Sequence, residues 1–229
     1  MDPRVAIEEW RATQESGTPS VVSSFYEGLA RKMTGGVTAG AEEGDVTVWI
    51  GGTAIGVEVK GGSPNNAFRM REKQLEKHKL RAKMFPYDGH FFYFFFNYVT
   101  YEPQRTAKDG RRRCMLRRAV ERGHGPEFLI DQTRHLWIVP VQLIEGILLF
   151  SPTLRTNLVG GDTGVRIKRQ VLKDFAKRLR GAPHNKWGVR DGHADLLPPR
   201  RRTRRITFGV TMFLYPGMPE LPLHGTTWK

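Results

Sequence analysis

The run Phe91-Phe92-Tyr93-Phe94-Phe95-Phe96 restricts this chain more than any other segment. Successive side chains of a strand point to opposite faces, so a run that is apolar at every position needs cover on both sides. Extended to His90–Val99, it predicts a strand in the middle of a sheet with a layer on each face. A platform for stacking bases would need its rings on one face. Six adjacent aromatics cannot meet that condition, and the run reads as core.

The segments around it alternate between helix and strand. Asp2-Pro3 reads as an N-cap followed by proline at the first helical position, opening a charged helix to about Glu15. After a loop at Ser16–Ser20, a second helix is expected from about Val21 to Met33, stopped by Gly35-Gly36. Val46, Val48 and Ile50 alternate before Gly51-Gly52, and Ile55, Val57 and Val59 alternate after it, the pattern of a two-residue hairpin. A charge-rich helix is predicted from about Phe68 to Met84. Leu136–Val139 reads as a strand, Val141–Leu149 as a short helix and Ser151–Gly164 as a linker. Ile167, Val171, Phe175 and Leu179 recur every four residues, predicting a helix with a basic outer face. Asp191, His193 and Asp195 read as a polar loop, and Ile206 to Leu214 alternates as a half-buried strand. This order predicts an α/β fold with a mixed central sheet flanked by helices. The expected division is a core over 1–150 and a basic C-terminal region, 151–229, to which no fold is assigned.

Charge narrows the partners. The 229 residues carry 37 Lys and Arg against 23 Asp and Glu, a net +14. Such an excess implies a polyanion. No lipidation motif or strongly apolar amphipathic helix points to a membrane surface, so nucleic acid is the expected partner. The densest clusters, Arg111, Arg112, Arg113, Arg117 and Arg118, then Arg201, Arg202, Arg204 and Arg205, are candidate phosphate contacts. Cys114 is the single cysteine, which excludes an intramolecular disulfide, a four-cysteine zinc ribbon and a CxxC pair. The stretch Leu136–Phe150 is broken by Pro140, Gln142, Glu145 and Gly146 and is too short to span a bilayer. With no signal-peptide pattern, a cytoplasmic location is expected. There is no GxxxxGK[ST] loop and no HExxH pair.

The hairpin also carries the chemistry. With Gly51-Gly52 as a two-residue loop, paired positions sum to 103, and Asp45 falls opposite Glu58. Lys60, two residues on, shares their face, while the aliphatic residues share the other. Two carboxylates set opposite one another repel unless a positive charge lies between them. Lys60 offsets part of that, and a hard divalent cation such as Mg²⁺, with Mn²⁺ as a substitute, offsets more. Asp45, Glu58 and the Val59 carbonyl are the candidate ligands, and Lys60 is placed to orient or deprotonate an attacking water. Those parts suit phosphodiester hydrolysis.

Asp45, twelve intervening residues, then Glu58-Val59-Lys60 resembles the D…ExK signature of the PD-(D/E)XK nuclease superfamily, most of all its archaeal Holliday-junction resolvase and VRR-type branches. The resemblance covers roughly residues 20 to 145. It implies a restriction-endonuclease-like core, a Mg²⁺-dependent endonuclease selective for DNA structure, and a homodimer. Gln74, on the following helix, matches a glutamine often found there, and Glu27, on the preceding helix, is the candidate for a further upstream acid. Glu42 and Glu43 are alternative acids near Asp45. Gly44 stands where many members have proline. Two other readings stay open on sequence: a non-catalytic nucleic-acid-binding module on the same scaffold, and an RNA-processing nuclease.

Overall fold

A computed structural model describes residues 20–40, 44–62, 67–97, 135–151, 155–157, 163–182, 186–195 and 207–229. Helix α1 (Ser20–Thr34) leads into β1 (Val37–Thr38), β2 (Val46–Ile50), β3 (Thr53–Gly62) and β4 (Phe68–Arg71). Helix α2 (Glu72–Ala82), β5 (Phe91–Asn97), β6 (His135–Pro140) and α3 (Val141–Phe150) follow. Then come β7 (Arg155–Asn157), β8 (Thr163–Ile167), α4 (Arg169–Arg180), β9 (Gly188–Asp195), β10 (Thr207–Leu214) and β11 (Thr226–Trp228). Among the described residues, the central sheet has eight strands in the order β1-β2-β3-β5-β6-β10-β9-β11, and a small sheet has the order β4-β8-β7. Two pairs of the central sheet, β3 with β5 and β6 with β10, are parallel, while the others are antiparallel. The fold is α/β with a mixed central sheet, as the alternation of patterns predicts.

β5 lies inside this sheet between β3 and β6, with every residue from Phe91 to Asn97 buried. Its odd positions, Phe91, Tyr93 and Phe95, enter one core with Trp137, Val139, Leu75 of α2, Ile144 and Ile147 of α3, and Leu172 and Phe175 of α4. Its even positions, Phe92, Phe94 and Phe96, enter a second core with Tyr26, Leu29 and Met33 of α1 and with Val46, Val48, Ile55 and Val57 of the hairpin. Each fully buried ring contributes about 1.5–3 kcal/mol of transfer free energy before the cost of ordering it. Phe208, Val210 and Met212 of β10 fill the second core and Phe213 the first. One sheet and both cores thus draw on residues from either side of position 150.

The structure corrects four details. Phe68–Arg71 is a strand and not the first turn of a helix: Phe68 and Met70 are buried while Arg69 and Arg71 are exposed, a period of two. The stretch Ser151–Gly164 is not only a linker, because it holds β7 and the start of β8. Ile167 ends β8, opposite Phe68, so the amphipathic helix begins only at Arg169. Gly188–Asp195 is a strand paired with β10, and not a loop. The expected helix over residues 2–15, Glu42, Glu43, Cys114 and all nine arginines of the two clusters lie outside the described residues. Among the described residues, no helix is long and apolar enough to cross a membrane.

Candidate active site

The site is built on the diglycine turn. Gly51 and Gly52 have φ of 53° and 87°, the left-handed pair that a type I′ hairpin requires. β2 and β3 pair from Val46↔Val57 to Ile50↔Thr53, the register expected from the loop length. At the open end the ladder slips by one residue. The Asp45 amide donates to Val57 O at 2.9 Å, and Gly44 takes φ of 90°. A side chain at Gly44 would bring its Cβ within 2.9 Å of Val57 O and 3.0 Å of the Phe91 ring. An offset of this kind is what a β-bulge produces, and bulges re-aim the next side chain. Asp45 is turned so that its Oδ2 accepts from the Val59 amide at 2.6 Å.

Glu58 is the centre of the cluster and is only 3% exposed. Its Oε1 accepts from the Lys60 ammonium and from Gln74 Nε2 at 2.6 Å. Its Oε2 faces His78 Nε2 at 3.7 Å. Lys60 shares the face because β3 alternates, and Gln74 and His78 share one side of α2 because they are four apart. Behind them, His78 Nδ1 lies 2.7 Å from the Tyr93 hydroxyl, and the His78 ring stacks on Phe91 with centroids 4.4 Å apart.

Burial first, then the charge of Glu58, raises the Asp45 carboxyl to about 6, against which the Val59 amide and Lys60 act. Burial, then the charges of Lys60 and Lys77, lowers His78 to about 4. His78 is therefore neutral at pH 7, and its approach to Glu58 is a polar contact and not an ion pair. A neutral imidazole has one N–H. Facing a carboxylate, that hydrogen belongs on Nε2, which leaves Nδ1 to accept from Tyr93. Glu27 of α1 joins the same field: burial first and the charge of Asp45 second raise its carboxyl, with Arg31 and Lys60 opposing.

The structure thus brings together Asp45, Glu58, Lys60, Gln74 and Glu27, with the Val59 backbone between the acids. His78 and Tyr93 are the members that motif reading misses. The signal for them was present: His78 is the i+4 neighbour of Gln74, and Tyr93 is the one hydroxyl within the phenylalanine run. Among the described residues, no group of three or more His, Cys, Asp or Glu is arranged to hold a metal ion. The donors at hand, Asp45, Glu58 and the Val59 carbonyl, are hard oxygens that suit Mg²⁺ with water completing its shell. The mutual repulsion that raises Asp45 is also what a divalent cation relieves, so these residues fit such an ion. No family model matches the chain, and no curated protein matches it significantly.

Proposed function

We propose that this protein is a Mg²⁺-dependent endonuclease with a restriction-endonuclease-like core, hydrolysing DNA and selecting for structure rather than sequence. One observation carries the reading: the buried Glu58 carboxylate, flanked by Asp45, is gripped by Lys60 from its own strand and by Gln74 from the next helix. A solvated surface salt bridge would need neither the burial nor the second carboxylate. The D…ExK spacing, a hairpin followed by a crossover helix into a parallel strand, and the net +14 charge support the same conclusion.

Asp45, Glu58 and the Val59 carbonyl would hold the cation, which when bound supplies positive charge at the scissile phosphate and acidifies the attacking water. Lys60 presents an ammonium beside both acids, where it orients that water and stabilises charge developing on the phosphate. Gln74 and the neutral His78 hold Glu58 in one orientation, and Tyr93 holds His78. Glu27 is the further acid at the edge of the site. The arginine clusters would bind phosphates without reading bases, and the resemblance implies a homodimer working on two strands.

The test is a cleavage panel of junction, flap, duplex and single-stranded DNA, with RNA versions of the same structures, in Mg²⁺ and in EDTA. Metal-dependent cutting that favours branched DNA is expected. Cutting that survives chelation would refute the metal site. Tight binding without cutting of any form in Mg²⁺ or Mn²⁺ would make the protein a non-catalytic nucleic-acid module.

A further inference from the structure

A pocket of about 240 Å³ is lined by Val37, Thr47, Trp49, Arg81, Pro86 and Tyr87, among others. It is smaller than the cavities of about 300–1,000 Å³ that enclose drug-sized ligands, and its scale suits one planar ring system. Thr47, in the pocket's lining, is two residues beyond Asp45, about 7 Å along the strand. That is the reach from a phosphate across its own sugar to its base.

The lining is made of two kinds of group. Trp49 is 58% exposed, with Val37 beside it equally so. A tryptophan left that open on β2, beyond the reach of the two-residue strand β1, offers a flat face to a partner. Across the pocket, the Arg81 guanidinium lies over the Tyr87 ring, 5.4 Å from its centroid. Thr47, also in the lining, is 5% exposed.

We infer that the pocket receives an unpaired nucleobase of the strand at the active site, stacked on Trp49. Proteins that bind single strands stack splayed bases on aromatic faces and hydrogen-bond their edges. A base in a closed duplex presents no free face and cannot enter. The guanidinium and the net charge of +14 favour a polyanionic strand over an apolar peptide. This inference rests on the nuclease reading for the class of polymer, and it narrows the substrate to DNA with an unpaired nucleotide beside the scissile bond.

The experiment needs no cleavage. Full-length protein in EDTA is titrated against a labelled single strand and a blunt duplex of the same sequence, read by fluorescence anisotropy. Trp49→Ala is expected to weaken single-strand binding roughly 5- to 100-fold, to leave duplex binding unchanged, and to be largely rescued by Trp49→Phe. Trp49 is on the surface, so the variants keep the fold, which circular dichroism verifies. Equal loss on both substrates, or no loss on the single strand, overturns the inference. So does a change in oligomeric state with single-strand affinity intact, which would assign the patch to a second copy of the chain. If no nucleic acid is cut under any condition yet the Trp49 effect holds, the nuclease reading falls and the pocket stands. If Mg²⁺-dependent cutting holds and Trp49→Ala changes no preference, the pocket falls alone.

Discussion

Asp45 Oδ2 accepts a hydrogen bond from the Val59 amide at 2.6 Å. The bond anchors the first acid of the motif to the residue between the second acid and the lysine. It exists because the hairpin ladder slips at Gly44, and it leaves the two carboxylates near enough for Glu58 to raise Asp45.

That proximity works against stability. Asp45 ionises at about 6 in the folded chain against 3.8 for an ordinary aspartate. The folded state therefore gains stability as pH falls from about 6 to 3.8, and carries the penalty above 6. Asp45→Asn, which keeps an acceptor for the Val59 amide, is expected to stabilise the protein by about 1–3 kcal/mol at pH 8 while abolishing cleavage. The gain should disappear below about pH 4. Urea unfolding across pH measures it, and Mg²⁺ should stabilise wild type but not the variant.

Gln74→Met removes a hydrogen bond to Glu58 without opening a cavity. Groups that hold ligating carboxylates commonly matter about 10–100-fold for activity or metal affinity, and a loss of that size in single-turnover cleavage is expected. Tyr93→Phe leaves His78 Nδ1 buried without a partner. It should cost about 1–3 kcal/mol of stability, measured by denaturant unfolding.

His135 tests the far side of the same sheet face. Its Nε2 lies 2.8 Å from Thr211 Oγ1, which donates to Asp191 at 2.8 Å. Burial, then Arg169, lowers it to about 4, with Asp191 opposing and Lys173 and His193 adding. Because the folded value lies below the unfolded one, the stability this neutral ring contributes is complete above pH 6.5 and is lost as pH falls from 6.5 towards 4. NMR titration should find His135 neutral down to about pH 4, and His135→Gln should flatten the stability slope over that window by up to about 1.4 kcal/mol per pH unit.

Gly56 lies on β3 under the ring of Phe91, where a Cβ would sit 2.3 Å from the ring. Phe91 carries the stacked His78. Gly56→Ala should therefore destabilise by about 1–3 kcal/mol through overpacking, with a matching fall in thermal midpoint.

The elements legible in the sequence are those set by local pattern. The diglycine fixes the register of β2 and β3, and the doubly apolar run fixes β5 as an interior strand. Alternation reveals β10. The missed strands depend on distant partners. β4 is four residues long and runs into α2 through Arg71, which makes no side-chain cap, so nothing punctuates the change of period. Its partner β8 lies nearly a hundred residues away in a Gly- and Thr-rich stretch. The acids and lysine of the site were readable because parity puts them on one face. His78 and Tyr93 carry a weaker signal, because apart from the spacing to Gln74 and the lone hydroxyl each looks ordinary on its own element, one as a polar helix residue and the other as one more core ring.

The most direct measurement is single-turnover cleavage of a branched DNA at saturating protein, with Mg²⁺ titrated, for wild type, Glu58→Gln and Lys60→Met. The proposed metal site predicts cutting that rises with Mg²⁺ in wild type and falls by several orders of magnitude in both variants, with DNA binding retained. Cutting by either variant at the wild-type rate, or a wild type indifferent to Mg²⁺, would contradict it.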